Sequence, residues 1–378
     1  MTTLRTMSLL VLLLALAGCA SNECTSEDIP KAPNEDLSAS IEDWEMYWYH
    51  RGADATRAIW SKFRLSSDVA LLAEGKGGEP SYAFSTYAYC LLLDNVATFW
   101  RKDLAAEAVS AYYNDFSAKC PDRAANCRND EVLRWAIACA RAFRITRNKM
   151  YLEEAKALYD SLWLKQVDNA IGGGMWHRSD EKTVKSASAN LSAVIVAIDL
   201  YQATQDLKYL LQGRKLYKWT GERLFNVKSG AVFEDVAVDD TRSNTEFVGN
   251  LGLFIGASMR LYRSTGSAIY LSNAKKAADH FMRVSKALEE TQPAEDSVGW
   301  LSRGFAMHYL SELARRPGCE KYRDYILANA RTAWTSRRLS DGLNGPDWTK
   351  PPLNEEAVDP KHAISAAFLY FSASRACR

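Results

Sequence analysis

The stretch FRITRNKMYLEEAKALYDSL, residues 143–162, closes one helix and opens another, with Thr146 five positions ahead of Tyr151. The arrangement recurs. LYQATQDLKYLLQGRKLYKWT (200–220) sets Thr204 five positions before Tyr209, and LYRSTGSAIYLSNAKKAADHF (261–281) sets Thr265 five before Tyr270. A looser copy, RPGCEKYRDYILANARTAW (316–334), puts Tyr322 in the same role. In each copy a helix ends, a short polar turn follows, and an amphipathic helix starts. Tyr151, Tyr209 and Tyr270 stand 58 and 61 residues apart, the length of two helices with their connections. Each repeat unit is therefore a helical hairpin.

The two helices of a unit differ in kind. NLSAVIVAIDLY (190–201) and LGLFIGASMRLY (251–262) are apolar nearly all round, the pattern of a buried helix, while YLEEAKALYDSL (151–162) has one apolar face. That alternation suits two concentric layers. A chain of 378 residues has room for six such hairpins once an export signal is removed. The reading is all-α: a single (α/α)6 barrel built from six helical hairpins over residues 41–378, with an open helical solenoid as the alternative. The loops AIGGGMWHRSD (170–180) and SDGLNGPDWTKPP (340–352) would then line one rim.

Lys and Arg number 47 against 46 Asp and Glu, so no electrostatic case exists for a nucleic-acid partner. The 11 Trp and 18 Tyr exceed ordinary packing needs and suit sugar faces. The N-terminus MTTLRTMSLLVLLLALAGCASNEC carries one Arg, an apolar run and then Leu16-Ala17-Gly18-Cys19. It reads as a signal peptide of lipoprotein type (1–18), with Cys19 as the lipid attachment and a polar tether over 19–40; an ordinary secretory signal is the alternative. The chain is thus expected to be exported, touching membrane only through a lipid anchor, and to act as a monomer. Cys120 and Cys127 flank a short loop and are the foremost candidates for a disulfide, whereas Cys90 and Cys139 sit in apolar helical runs as buried thiols. The five histidines show no metal-ligand spacing, so neither metal nor cofactor is indicated.

Just past Cys127 comes RNDEVLRWAIACARAF (128–143), with Asp130 and Glu131 side by side ahead of a helix too apolar for a surface. Asn129 is a good N-cap, and acids in a first turn complement the helix dipole. The same pair could equally be catalytic. Glycoside hydrolysis uses two carboxyl groups, about 5–5.5 Å apart in retaining enzymes and ~6.5–9.5 Å apart in inverting ones. Adjacent residues have Cα atoms about 3.8 Å apart, which fits the shorter spacing.

Several of these segments together resemble glycoside hydrolase family 76, the endo-α-1,6-mannanases. NDEVLRWAIACARAF resembles the family's catalytic segment, GGGMWHRSD…KSASAN (172–190) its glycine-rich Trp loop, and TEFVGNLGLFIGA (245–257) its Asn-x-Gly helix start. RGFAMHYL (303–310) and LNGPDWTKPP (343–352) resemble two further motifs, all in chain order. The resemblance implies an (α/α)6 barrel that binds α-mannan or a manno-oligosaccharide, with Asp130 as nucleophile and Glu131 as general acid and base. It makes Trp176, Asn190, Asp235, Asn250, Lys185 and Trp348 candidates for substrate binding. Five of them have a plainer reading: rim closure for Trp176, a helix cap for Asn190, an exposed acidic loop for Asp235, a solvated charge for Lys185, structural packing for Trp348; Asn250, at the start of an inner helix, would face the cavity. Glu131 in place of Asp, Arg303 for Lys, Leu251 for Gln and His308 for Arg depart from the family pattern. A glycan-binding surface protein with a lost activity and a cell-wall transglycosylase of the same fold remain open.

Overall fold

The computed structural model describes residues 41–63, 72–73, 80–98, 102–119, 128–285, 299–352 and 358–378. Among them are twelve α-helices: α1 (Ile41–Phe63), α2 (Tyr82–Thr98), α3 (Lys102–Lys119), α4 (Asn129–Thr146), α5 (Lys149–Gln166), α6 (Ala187–Thr204), α7 (Leu207–Arg223), α8 (Val248–Thr265), α9 (Ala268–Val284), α10 (Gly299–Ala314), α11 (Glu320–Thr335) and α12 (Pro360–Ala376). Two antiparallel ladders complete them, β1 (Leu72–Ala73) with β2 (Pro80–Ser81) and β3 (Val184–Ser186) with β4 (Asp235–Ala237). The chain divides into a central unit, 122–285, and a unit made from 1–121 and 286–378.

The repeated Thr has a local job in the central unit. Thr146, Thr204 and Thr265 each return a hydroxyl hydrogen bond to the carbonyl four residues back. Each hydroxyl also accepts the amide of the residue two positions on. The residue between them turns left-handed: Arg147 at φ 60°, Gln205 at 61° and Gly266 at 71°. Its amide closes on the carbonyl of Phe143, Tyr201 or Tyr262. Asn148 and Asp206 then cap the next helix through the amides of Met150 and Lys208. The Tyr that follows enters the core in the first two copies, Tyr151 being fully buried and Tyr209 1 % exposed, while Tyr270 is half-buried.

The apolar helices form a consecutive inner series in this unit, α4 against α6 and α6 against α8. Helices α5, α7 and α9 each pack on the helix before them. Helix α6 is buried along nearly its whole length, as its sequence requires. In the other unit α12 lies against α10 and α2, and α11 and α3 back onto α10 and α2. The sixth pair is not a sequential hairpin: α12 takes α1, the first described helix, as its partner. A buried charge network ties α2, α10 and α12. Asp94 accepts from His308 at 3.0 Å and from Arg375 at 2.8 Å, so His308 serves packing here.

Cys90, Cys139, Cys319 and Cys377 are buried thiols. Cys19, Cys24, Cys120 and Cys127, and with them the lipid site, the tether and the expected disulfide, lie outside the described residues.

Candidate active site

The carboxylate pair sits at the start of α4. Asp130 is 1 % exposed, and the Glu131 side chain keeps 21 % of its surface open. Arg134, one turn further on, donates to Asp130 Oδ2 at 2.8 Å. Arg128 approaches from the other side, its Nε 3.5 Å from Asp130 Oδ1 and 3.4 Å from Glu131 Oε1. Burial alone would push the Asp130 carboxyl up, but the charges of Arg134, Arg128 and His177 outweigh it and hold the group below the usual carboxylate range. The amino end of α4 adds its own positive potential. Asp130 is thereby kept as a carboxylate.

The helix start is not capped as the sequence suggests. Arg128 occupies the cap position without a side-chain capping hydrogen bond to the helix amides, and Asn129 is the first helical residue. Its side chain turns away to donate to the Trp176 carbonyl at 2.8 Å, while its amide donates to the carbonyl of His177 at 3.0 Å. The loop thus supplies the acceptors that lock α4 in place.

The glycine-rich loop explains this geometry. Gly172, Gly173 and Gly174 have φ of 73°, 120° and 81°, values that side chains rarely adopt. A Cβ on Gly174 would also lie 2.6 Å from the Trp219 ring. With the chain so turned, Lys185 enters beneath the loop and donates to Asp168 at 2.7 Å, to the Ala170 carbonyl at 2.8 Å and to the Gly173 carbonyl at 2.7 Å. Its side chain is wholly buried, so the solvated charge read from the sequence is corrected. Burial pulls its ammonium below the ordinary lysine range against the opposing pull of Asp168. Trp176 is 2 % exposed, bonded through Nε1 to Asp168 and covered by Lys185 Nζ at 4.5 Å. Both residues serve the loop's interior.

Asn190 likewise holds the loop, accepting from the Met175 amide at 2.7 Å and donating to the carbonyls of Met175 and Ser186. The cap of α6 is instead Ser186, whose hydroxyl accepts from Ala189 and contacts His177 Nδ1 at 2.8 Å. Ser186 pairs with Asp235 across β3 and β4. Asp235 is half-buried, and burial pushes its carboxyl up, partly opposed by His177. The His177 ring feels Asp130, Arg128, Arg134 and Asp235 together, with burial the main force pulling it below the ordinary histidine range.

Asn250 is buried in the first turn of α8, and its side-chain oxygen has no hydrogen-bond partner among the described residues. Glu246 bonds His280 at 2.5 Å. In the other unit Trp348 is 1 % exposed beneath the Arg303 guanidinium at 3.6 Å. The assembled group is therefore Asp130, Glu131, Asp235, Arg128, Arg134 and His177. Of these the sequence reading passed over the two arginines and the histidine. The Asp130 to Arg134 spacing of one helical turn was visible in the chain; the approach of His177 was not, because it depends on the loop's path. Among the described residues no three His, Cys, Asp or Glu side chains gather as metal ligands.

The profile of glycosyl hydrolase family 76 matches residues 86–372, about three quarters of the chain. No curated protein matches. An α-1,6-mannanase of Salegentibacter sp. HEL1_6, solved with α-1,6-mannotriose as an inactive variant carrying asparagine at two adjacent aspartates, is 22 % identical with a TM-score of 0.78. The similarity covers 86 % of this chain and 99 % of that one. The Lin0763 protein of Listeria innocua is also 22 % identical at a TM-score of 0.78, over 86 % and 96 %. Dfg5 of Chaetomium thermophilum, solved with glucosamine, is 11 % identical at 0.69, over 87 % and 90 %. The shared fold is the all-α (α/α)6 barrel read from the repeat.

Proposed function

This chain belongs to glycosyl hydrolase family 76, and we propose that it cleaves internal α-1,6-mannosidic bonds of α-mannan with retention, Asp130 acting as nucleophile and Glu131 as general acid and base. The observation that carries the reading is the unequal treatment of the two neighbouring carboxyls. Asp130 is buried, clamped by Arg134 and held ionised, while Glu131 beside it stays partly open. A nucleophile needs the first condition, and a group that passes a proton to and from solvent-borne partners needs the second.

In the first step an Asp130 oxygen attacks C1 of the mannosyl unit as the C1–O6 bond breaks, and Glu131 gives its proton to O6. In the second, water attacks C1 and gives its proton to Glu131 while the bond to Asp130 breaks. The adjacent acids replaced in the inactive Salegentibacter mannanase support the choice of this pair, and its bound mannotriose supports the choice of sugar. The extra methylene of Glu131 reaches further toward a leaving oxygen than Asp would. The lipobox-like Leu16 to Cys19 supports an activity outside the cell, on a lipid anchor.

The deciding experiment incubates protein lacking residues 1–24 with linear α-1,6-mannan and follows reducing ends and product sizes, beside Asp130→Asn. Short manno-oligosaccharides from the parent and at least about a thousandfold fewer from the variant are expected. Full activity in the variant would refute the mechanism. Retarded migration in a mannan gel without products would make the chain a glycan-binding protein, and lengthened products a transglycosylase.

A further inference from the structure

Helix α4 begins at the carboxyl pair and ends beside a cavity that the reaction above does not use. From Asp130 to Arg144 the helix runs about 21 Å, at a rise of about 1.5 Å per residue. The cavity has a volume of about 200 Å³. Phe143, Arg144 and Arg147 line it from the end of α4, and Asp199, Gln202 and Ala203 from the last turns of α6. Ala140 and Ala203, with nothing beyond Cβ, leave the space between the two helices open.

The walls are held from behind. Asp199 accepts from Arg260 Nε through Oδ1 at 2.9 Å, and Gln202 donates to Ser264 Oγ at 3.0 Å, so both are tied from α6 to α8. On the α4 side Arg147 turns left-handed at φ 60°, with its amide on the Phe143 carbonyl and its guanidinium 5.9 Å from the Phe143 ring centre. One atom is left over. The Asp199 side chain is 8 % exposed, and its Oδ2 is buried with no hydrogen-bond partner among the described residues. A buried carboxylate oxygen without a donor costs free energy, so the cavity favours a ligand that brings one.

A ligand matched to these walls needs a hydroxyl donor for Asp199, oxygens for the guanidinium groups and a C–H face for Phe143 and the alanines. Inorganic phosphate offers oxygens to the arginines and no apolar face to the ring. A sugar ring brings all three. The volume lies below the about 300–1,000 Å³ of sites for drug-sized ligands, so it suits a single ring. Arg144 and Arg147 stand at the negative end of the α4 dipole, which answers part of their charge without an anion.

We propose that this cavity is a second carbohydrate site, holding one mannosyl unit of α-mannan at the far end of α4 from the carboxyl pair. The inference rests on the mannan reading given above for the identity of the sugar. Its use is attachment: a polymer gripped at a second point keeps the enzyme on its substrate between cuts.

The test uses Asp130→Asn, which by the mechanism above does not turn the sugar over. Its crystals are soaked in α-1,6-mannobiose and its solution is titrated with the same sugar by calorimetry, beside a protein that also carries Ala203→Trp. Ala203 is exposed and lines the cavity, so a Trp there fills the space and leaves the carboxyl pair untouched. A mannosyl ring with a hydroxyl on Asp199 Oδ2 is expected, with a second binding event that Ala203→Trp abolishes. In the active chain, Ala203→Trp should lower the rate on insoluble α-mannan roughly two- to tenfold and leave kcat/KM on a soluble aryl mannobioside unchanged. Soaked crystals with only water in the cavity would overturn the proposal, as would equal falls on both substrates. Displacement of the sugar by inorganic phosphate would also overturn it and make the cavity an anion site. Thermal melts of Ala203→Trp test for misfolding, and Arg147→Ala with Gln202→Ala repeats the experiment by deleting contacts on exposed residues. A chain that cleaves mannan with the cavity empty refutes this inference alone. One that fills the cavity and cleaves nothing refutes the hydrolase reading alone.

Discussion

Asp130 and Arg134 are joined at 2.8 Å across one turn of α4, and the two side chains are 1 % and 8 % exposed. A buried carboxylate with this partner is well placed; without it, the same carboxylate would be an uncompensated charge in the core. The pair gives the helix start both its charge and its strictness.

Replacing Arg134 with Leu is expected to cost about 3–5 kcal/mol of stability near neutral pH. The sign with pH follows from the lowered Asp130 carboxyl. Its contribution is fully present above the unfolded value of about 3.9 and is lost as pH falls through the folded value. In the variant, burial acts with its largest opponent removed, so acid unfolding and the acid limb of activity should both move to higher pH. Urea melts and rates measured from pH 3 to 7 check this, and an unmoved acid limb would contradict it.

Lys185→Met keeps the apolar stem and deletes three hydrogen bonds beneath the glycine-rich loop. Asp168 is 38 % exposed, so water screens part of that ion pair, and the two carbonyls carry most of the cost of about 2–3 kcal/mol. Residues 168–176 should become a site of limited proteolysis. Activity should fall with them, because the Trp176 and His177 carbonyls hold Asn129. Unchanged cleavage kinetics would show that the loop holds itself.

At Asp341 burial pushes the carboxyl up, yet Arg338, Lys62 and the Leu343 amide bring it down to about 2. At about 1.36 kcal/mol per pKa unit, that depression is worth roughly 2 kcal/mol above the unfolded value. Asp341→Asn should lose this amount at pH 7, and the gap between parent and variant should close as pH falls toward 2. Denaturant midpoints at several pH values measure it.

Gly304 is where α10 meets α12. A Cβ there would stand 2.0 Å from the Ser365 carbonyl oxygen, and backbone cannot yield as a side chain does. Gly304→Ala should cost about 3 kcal/mol or more, the upper end of ordinary overpacking. Gly221 in α7 meets nothing within 4 Å, so Gly221→Ala should stabilise by roughly 0.5–1 kcal/mol. Thermal melts of the two variants should move in opposite directions.

The hairpin repeat was legible because it is local. Thr146, Thr204 and Thr265 make hydrogen bonds within four residues of themselves, so their spacing alone announces the turn. The apolar runs of α6 and α8 announced burial in the same way, since a helix without a polar face has nowhere else to go. The acids Asp130 and Glu131 were equally visible as neighbours, and Arg134 one turn on could have been read with them.

The sequence by itself determined the all-helical hairpins, the two kinds of helix and the place of the carboxyl pair, because each rests on contacts a few residues long. Only the tertiary structure decided the rest. Asn129 bonds a loop 47 residues away instead of capping its helix, Lys185 lies buried under the glycines, and α1 packs on α12 at the far end of the chain. A polar side chain takes whichever partner the folded backbone brings within about 3 Å, and no spacing in the sequence states which one arrives.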